Sequence, residues 1–327
     1  VFPIFIDKQG FWWRADEKSE TLPNQQTQTQ ERIFVYPGVD RSALHTTKAQ
    51  LQIDIAFPVL HGTFGEDGLI QGLLETAGIP YVGANVSASA AGMDKAIMKA
   101  LFVQNDLPVA AYVWFYRSEW KKSPEDCIQK IEKALTYPVF TKPANLGSSV
   151  GITKAHNRDE LNGAILDAAR YDSKIIVEQG IDAREIECSV LGNEEPRASL
   201  PGEIAPKREF YDYVAKYIED STELFVPAKL SNEQTENVQD LSIKAFQAIG
   251  CSGMGRVDLF LERSTGNLYL NEINTIPGFT NISMYPKLWE VSGISFAELL
   301  DRLLELGLER HKEQASNETS FGLIENP

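Results

Sequence analysis

The sequence predicts an α/β protein made of more than one packed unit. Three observations carry this. Apolar strand-like runs alternate with helical patterns along the chain, as in layered α/β folds. The length of 327 residues leaves room for two or three domains. The composition, 43% hydrophobic and 24% charged, is that of an ordinary folded chain with enough apolar residues for large cores.

Each element has its own signal. Val1–Ile6 (VFPIFI) reads as a buried strand, with a turn at Asp7-Lys8-Gln9-Gly10. A chain seldom opens on such a strand with no lead-in and no initiator Met, so an upstream segment is expected. Residues 18–31 are polar and loop-like. Ile53–Leu60 (IDIAFPVL) reads as a strong strand, followed by the loop His61–Gly68 (HGTFGEDG). A helix then starts near Leu69, with Leu69, Ile70, Leu73, Leu74 and Ala77 on one face and Gly78 as its stop. This first unit reads as a parallel sheet with crossover helices, ending near Gly83.

Ser87 to about Asn105 reads as one helix, and Ser123-Pro124 opens another, with a capping serine before a first-turn proline. Tyr137–Pro143 is a strand leading into the glycine-rich Asn145–Gly151 (NLGSSVG). Asn157–Arg170 reads as a helix, and Ser173–Gln179 and Glu185–Leu191 as strands. Ser231-x-x-Gln234 is a capping box, and Gly250 ends that helix. Gly255–Leu261 and Leu268–Asn274 form a hairpin. Ser295-x-x-Glu298 caps a last amphipathic helix, and the chain after Lys312 is a polar tail expected to fray.

Composition narrows the function. The chain carries 31 Lys and Arg against 46 Asp and Glu, a net charge of −15. A general binder of nucleic acid or anionic membrane needs a basic face, so neither partner is expected. The three cysteines, Cys127, Cys188 and Cys251, are widely spaced and form no C-x-x-C pair. That spacing suits a reducing cytoplasm better than a disulfide framework or structural zinc. No apolar run is long enough for a membrane span, and the start has no signal-peptide pattern.

The richest constellation is Arg256-x-Asp258 followed by Glu272-x-Asn274. Residues two apart on a strand share a face. A three-residue loop, Ser264-Thr265-Gly266 with Gly266 left-handed, sets Asp258 opposite Glu272 and Arg256 opposite Asn274. Three oxygen donors and one guanidinium then share a surface. Hard oxygen ligands without His or Cys suit Mg²⁺ shared with phosphates. A solvated face with cross-strand charge pairs has the same spacing, but the turn Thr275–Thr280 (TIPGFT) lets backbone come close to a ligand.

Lys142 with Gly147-Ser148-Ser149-Val150-Gly151 is a second constellation. Its free N–H groups and hydroxyls suit a phosphate, although no G-K-[ST] Walker sequence is present and a plain turn is the alternative. Met93-Asp94-Lys95, with Lys99 a turn later, is a third candidate, although surface lysines are the better local reading. Glu178 ends an apolar strand, where a carboxylate could meet a ribose or adenine group, and Glu185 is ambiguous in the same way. His61 sits where α/β ligand sites lie, and a capping role is its alternative. Phe210–Tyr217 (FYDYVAKY) is either a lid or packed aromatics.

HGTFGEDG, GMDKAIMKA, TKPANLGSSVGITK, EFYDYVAKY, GMGRVDLF and NEINTIPGFTNISMYPKLW occur in this order. Together they make the chain closely similar to D-alanine–D-alanine ligases, from about Phe5 to about Arg310. The resemblance implies an ATP-grasp fold with an N-terminal parallel-sheet domain at 1–84, a central domain at 85–180, a C-terminal catalytic domain at 181–313 and the tail at 314–327. It implies ATP and two Mg²⁺ (or Mn²⁺) ions. Lys95 and Lys142 would contact the phosphates, Ser148, Ser149, Val150 and Gly151 would cover them, and Lys216 would join them from a lid. Glu178, Gln179 and Ile181 would meet adenine, and Glu185 the ribose. Asp258, Glu272 and Asn274 would hold the metals. Arg256 and the Gly278 backbone would line the oxyanion site, with Ser148 and Tyr217 completing the catalytic set. His61 would lie near the first D-alanine and Ser283 near the second one's carboxylate.

The product implied is D-alanyl-D-alanine for peptidoglycan precursors, made by a homodimer in the cytoplasm. Tyr217 goes with D-alanine as second substrate, against D-lactate or D-serine ligases of the same fold. The family's opening βα unit, with a glycine-rich loop and a glutamate for the first D-alanine's ammonium, does not precede Val1. That keeps a nucleotide binder without catalysis as an alternative.

Overall fold

The structure is a computed structural model that describes residues 1–15, 31–38, 43–147, 150–206, 222–280 and 282–318. Three sheets organise them. The N-terminal sheet runs Ile4–Ile6, Trp12–Arg14, Arg32–Val35, Leu44–Thr46 and Gln50–Leu51 in sequence order, every pair antiparallel. It shares a core with the helix Leu69–Thr76, through Ile33, Leu44, Leu51, Ile70 and Leu74.

This corrects the parallel sheet expected here. The Asp7–Gly10 turn closes with Gly10 N–H on the Asp7 carbonyl, and the Asp7 carboxylate takes the N–H groups of Gln9 and Phe11. A link this short can make only an antiparallel pair, because a parallel pair needs a crossover of a dozen or more residues. Ile53–Leu60 is not a regular strand either. Only Ala56 pairs, in an isolated parallel bridge with Tyr81, and Pro58 has no N–H to extend a ladder.

The helix expected over Ser87–Asn105 is two helices, Val86–Met93 and Lys95–Gln104. Asp94 interrupts them with ψ 100°, and its carboxylate caps the second through the N–H groups of Ala96 and Ile97. Lys95 therefore opens a helix rather than riding on the middle of one.

The central sheet is antiparallel, ordered Tyr112–Tyr116, Lys174–Gln179, Val139–Pro143, Thr153–Ala155. The helices Pro124–Ala134 and Arg158–Tyr171 share its core of Phe115, Ile128, Ile131, Leu161, Ile165, Ile175 and Val177. Ser123 precedes the first of these helices without a side-chain cap, while Pro124 takes the first helical position as expected.

The C-terminal sheet runs Thr222–Phe225, Gly202–Pro206, Ala183–Gly192, Gly253–Glu262, Leu268–Asn274, with Arg197–Ala198 paired to the third strand. Ile186, Val190, Val257, Leu259 and Ile273 face its core with Phe246 of the helix Asn232–Ala248. Strand alternation sends Glu185, Glu187, Arg256, Asp258, Glu272 and Asn274 to the other face. That face and the free face of the central sheet enclose the site.

Candidate functional site

The hairpin register is Arg256 opposite Asn274 and Asp258 opposite Glu272, as the spacing predicts. The route to it differs. Glu262 N–H bonds to the Asn267 carbonyl, so the loop is the four residues Arg263–Gly266, with Gly266 left-handed at φ 76°. From that loop Leu259 pairs with Leu270. A bulge at Asn271 then adds one residue to the second strand and brings Glu272 opposite Asp258. Without it, Asp258 would face Asn271, and Glu272 and Asn274 would be out of register with the arginine and the acid.

A cleft of about 660 Å³ lies between the central and C-terminal sheets. Phe140, Lys142, Leu146, Gly147 and Glu178 line one side, and Glu185, Glu187, Asp258, Phe260 and Glu272 the other. Ile181 and Gln179 line its end, where the chain passes from one sheet to the other. Lys95, Lys142 and Glu178 are all buried, and Lys99 is 1% exposed, so the surface-lysine alternative does not hold. Lys142 sits 2.9 Å and Lys99 3.4 Å from the Glu178 carboxylate. Burial pushes that carboxyl up, but Lys142 and Lys99 outweigh burial and hold it below its ordinary value. Burial also lowers the Lys99 ammonium. Lys95 donates to the Leu146 carbonyl at 2.9 Å and lies 3.3 Å from Glu272. It thus ties the start of the glycine-rich loop to the hairpin.

The Gln179 side chain is committed elsewhere. It accepts from Thr136 N–H at 2.9 Å and donates to the Thr136 carbonyl at 2.8 Å. Gln179 therefore offers the cleft its backbone, not its amide. Gly151 is left-handed at φ 72°, and a Cβ there would fall 2.7 Å from the Tyr171 ring. Val150 N–H reaches back to the Gly147 carbonyl. Ser148, Ser149, Lys216 and Tyr217 lie outside the described residues, as does the FYDYVAKY segment.

A second cleft, of about 500 Å³, continues from the first through Lys95, Gly147, Glu187 and Glu272. His61, Glu66, Arg256, Asn274, Gly278 and Ser283 line it. His61 Nδ1 is 3.9 Å from Glu66, whose hydrogen bond and charge raise the imidazole above its ordinary value. A Cβ on Gly278 would sit 2.8 Å from Ser283 Oγ, so any larger residue there would displace that hydroxyl. Ser283 Oγ accepts the Thr280 N–H at 3.0 Å, which fixes the turn. Arg256 is partly buried, its side chain 16% exposed, and forks onto Asp258 at 2.7 and 2.8 Å, with Glu187 at 3.2 Å from Nε. Burial works against its charge, but Asp258 and Glu187 hold it protonated well above its ordinary range.

Among the described residues, no three His, Cys, Asp or Glu converge on one metal position. A cation on this face would need Asn274 as third donor beside Asp258 and Glu272. The Asn274 Oδ1 is buried and has no hydrogen-bond partner. An orphaned amide oxygen beside two carboxylates fits a hard divalent ion.

Two residues escaped the sequence reading. Glu66 sits inside HGTFGEDG, and its carboxylate takes the Gly62 N–H at 2.5 Å. Glu187 lies two residues after Glu185 on one strand, the same i, i+2 signal that marked Glu272 and Asn274.

Family models described as D-ala D-ala ligase N-terminus and C-terminus match residues 1–84 and 101–305. The chain belongs to the D-alanine–D-alanine ligase family. Curated members of this ligase family include the D-alanine--D-alanine ligase of Heliobacterium modesticaldum, 51% identical over 98% of this chain and 88% of its own length. That of Acetivibrio thermocellus is 53% identical over 96% and 88%. Among solved structures, the ligase from Coxiella burnetii superposes with TM-score 0.84 at 38% identity, covering 95% of this chain and 85% of that one. The VanG D-Ala:D-Ser ligase from Enterococcus faecalis gives 0.85 at 36% identity, covering 94% and 89%. No helix among the described residues is long and apolar enough to cross a membrane.

Proposed function

We propose that this chain uses ATP to join two D-alanine molecules into D-alanyl-D-alanine for peptidoglycan precursors. The supporting observation is that two continuous clefts share Lys95, Gly147, Glu187 and Glu272, one cleft holding the buried lysines and the other Arg256, Gly278 and Ser283. The divisions 1–84, 85–180 and 181–313, the cytoplasmic location and the homodimer belong to the same reading.

In this mechanism a carboxylate oxygen of the first D-alanine attacks the γ-phosphorus of ATP. The bond from that phosphorus to the bridging oxygen breaks, and ADP leaves an acyl phosphate. Lys95 and Lys142 hold the phosphates, and Ser148, Ser149, Val150 and Gly151 cover them. Glu178, Gln179 and Ile181 take the adenine and Glu185 the ribose. Two Mg²⁺ (or Mn²⁺) ions on Asp258, Glu272 and Asn274 would neutralise the transferring charge when bound. The amine of the second D-alanine, deprotonated, then attacks the acyl carbon and phosphate leaves. Arg256 and the Gly278 N–H stabilise the oxyanion, worth about 3–4 kcal/mol per donor in acyl transfer. His61 lies toward the first substrate and Ser283 toward the second carboxylate. Lys216 and Tyr217 close the site against water.

Structural similarity alone does not separate D-alanine from D-serine as second substrate, since both ligase types superpose equally well. Tyr217 favours D-alanine. The test is phosphate release from ATP against D-alanine, with product masses determined in mixtures containing D-serine and D-lactate. D-alanine-dependent release with D-alanyl-D-alanine as main product supports the reading. Nucleotide binding without such release sinks it, and a mixed dipeptide as main product shifts it to the second-substrate variant.

A further inference from the structure

Glu187, Asp258 and Glu272 stand directly opposite one another on three adjacent strands, making one row of carboxylates across the sheet. Arg256 lies beside this row and leans on two of its members. It forks onto Asp258 with both oxygens and approaches Glu187 with the same Nε. The fork occupies both oxygens of a carboxylate that the proposed function also needs for a metal ion. A divalent ion on Asp258 would draw on the same carboxylate charge and repel the guanidinium, so the fork weakens when the ion binds.

A guanidinium this far withdrawn from solvent, 16% exposed, is unfavourable without an anion beside it. Glu187 is 5% exposed, lines both clefts, and sits on the far side of Arg256 from the hairpin partner strand. Resting on the function proposed above, we infer that Glu187 is the positioning residue for Arg256. In the resting site Asp258 holds the arginine. When Asp258 turns to metal and nucleotide, the arginine passes to Glu187, which keeps the guanidinium aimed along the second cleft. The row of acids then works as a relay for one cation, and Glu187 touches neither nucleotide nor metal.

The test compares Glu187→Gln and the shorter acid Glu187→Asp with the wild type. Steady-state rates should show kcat reduced about 10- to 100-fold in Glu187→Gln, in the range typical for residues that orient a reacting group, with KM for ATP unchanged and partial recovery in Glu187→Asp. A second readout needs no turnover. Melting temperature is followed with a non-hydrolysable ATP analogue, with and without Mg²⁺. Glu187→Gln should match the wild type without Mg²⁺ and gain less from Mg²⁺ plus analogue.

Equal lowering under every condition would make Glu187 a structural residue and overturn the inference. Loss of the analogue's effect without Mg²⁺ would make it a nucleotide ligand and overturn it as well. If Glu187→Gln does not fold, Glu187→Asp carries the same comparison. If the wild type shows no D-alanine-dependent phosphate release, the proposed function fails, while the melting comparison still decides the relay.

Discussion

Glu178 shows what the cleft demands of single residues. It is 2% exposed and faces two buried ammonium groups, Lys142 and Lys99. Removing one member of a buried ion pair costs about 3–5 kcal/mol, because the partner charge stays buried alone. Glu178→Gln should therefore lower the unfolding free energy by about that amount in urea titrations, and raise KM for ATP. Its pH dependence has a definite sign. The folded carboxyl titrates below its ordinary 4.5 because the lysines outweigh burial. Its ionisation thus stabilises the fold above the ordinary value, and the contribution disappears as pH falls through the lowered folded value. Wild-type stability should drop more steeply than that of Glu178→Gln as pH falls below the ordinary 4.5. Equal slopes would mean the pair contributes nothing. Sequence marked Glu178 as a candidate, but it could not show that Lys99 shares the carboxylate. That contact depends on where the helix starts.

At the scale of elements, capping and register set that start. Asp94 ends one helix, caps the next, and takes the Lys174 ammonium from the central sheet. Asp94→Asn keeps an oxygen for the N–H groups of Ala96 and Ile97 but gives up the charge facing Lys174. Asp94→Ala gives up both, and loss of a cap is worth about 1 kcal/mol. Urea denaturation should find Asp94→Ala less stable than Asp94→Asn by about that difference; indistinguishable midpoints would rule out the cap. The break at Asp94 was hidden in sequence because Met93-Asp94-Lys95 lies in a run with helical spacing on both sides. The hairpin teaches the converse. Alternation fixes which residues share a face, so Arg256, Asp258, Glu272 and Asn274 were legible from spacing. Loop length was not, and the Asn271 bulge made up the difference. Just after the N-terminal sheet, Ile53–Leu60 has the composition of a buried strand, yet only Ala56 found a partner. Composition reports burial, whereas pairing depends on what lies alongside.

The whole molecule is joined by contacts that no local pattern announces. The helix Phe296–Ala315 packs against the backbone of Tyr81–Gly83, near the end of the N-terminal family match at 1–84. Arg310 donates to the Tyr81 carbonyl at 2.8 Å, to the Gly83 carbonyl, and to Ser252 Oγ at 3.0 Å, one residue before the strand that carries Arg256 begins. Its guanidinium also stacks 4.3 Å from the Tyr81 ring centroid. One turn earlier, a Cβ on Gly307 would fall 2.8 Å from both the Tyr81 carbonyl oxygen and Ile55 Cδ1. The helix backbone can approach only because the side chain is missing. Gly307→Ala must therefore push the helix away from Tyr81 or shift the chain beneath it, an overpacking cost of about 1–3 kcal/mol. Gly163, in the helix Arg158–Tyr171, is the matching control: a Cβ there meets nothing within 4 Å. Gly163→Ala should stabilise by about 0.5–1 kcal/mol, the helix-propensity gain alone. The same substitution in two helices is thus expected to move the thermal midpoint in opposite directions. Because Gly307 and Arg310 sit one turn apart, Gly307→Ala should also weaken the Arg310 bonds, so its cost added to that of Arg310→Met should exceed the cost of the double variant. Strict additivity would mean that the helix is held at these two points independently, and that Arg310 does not depend on the close approach Gly307 permits.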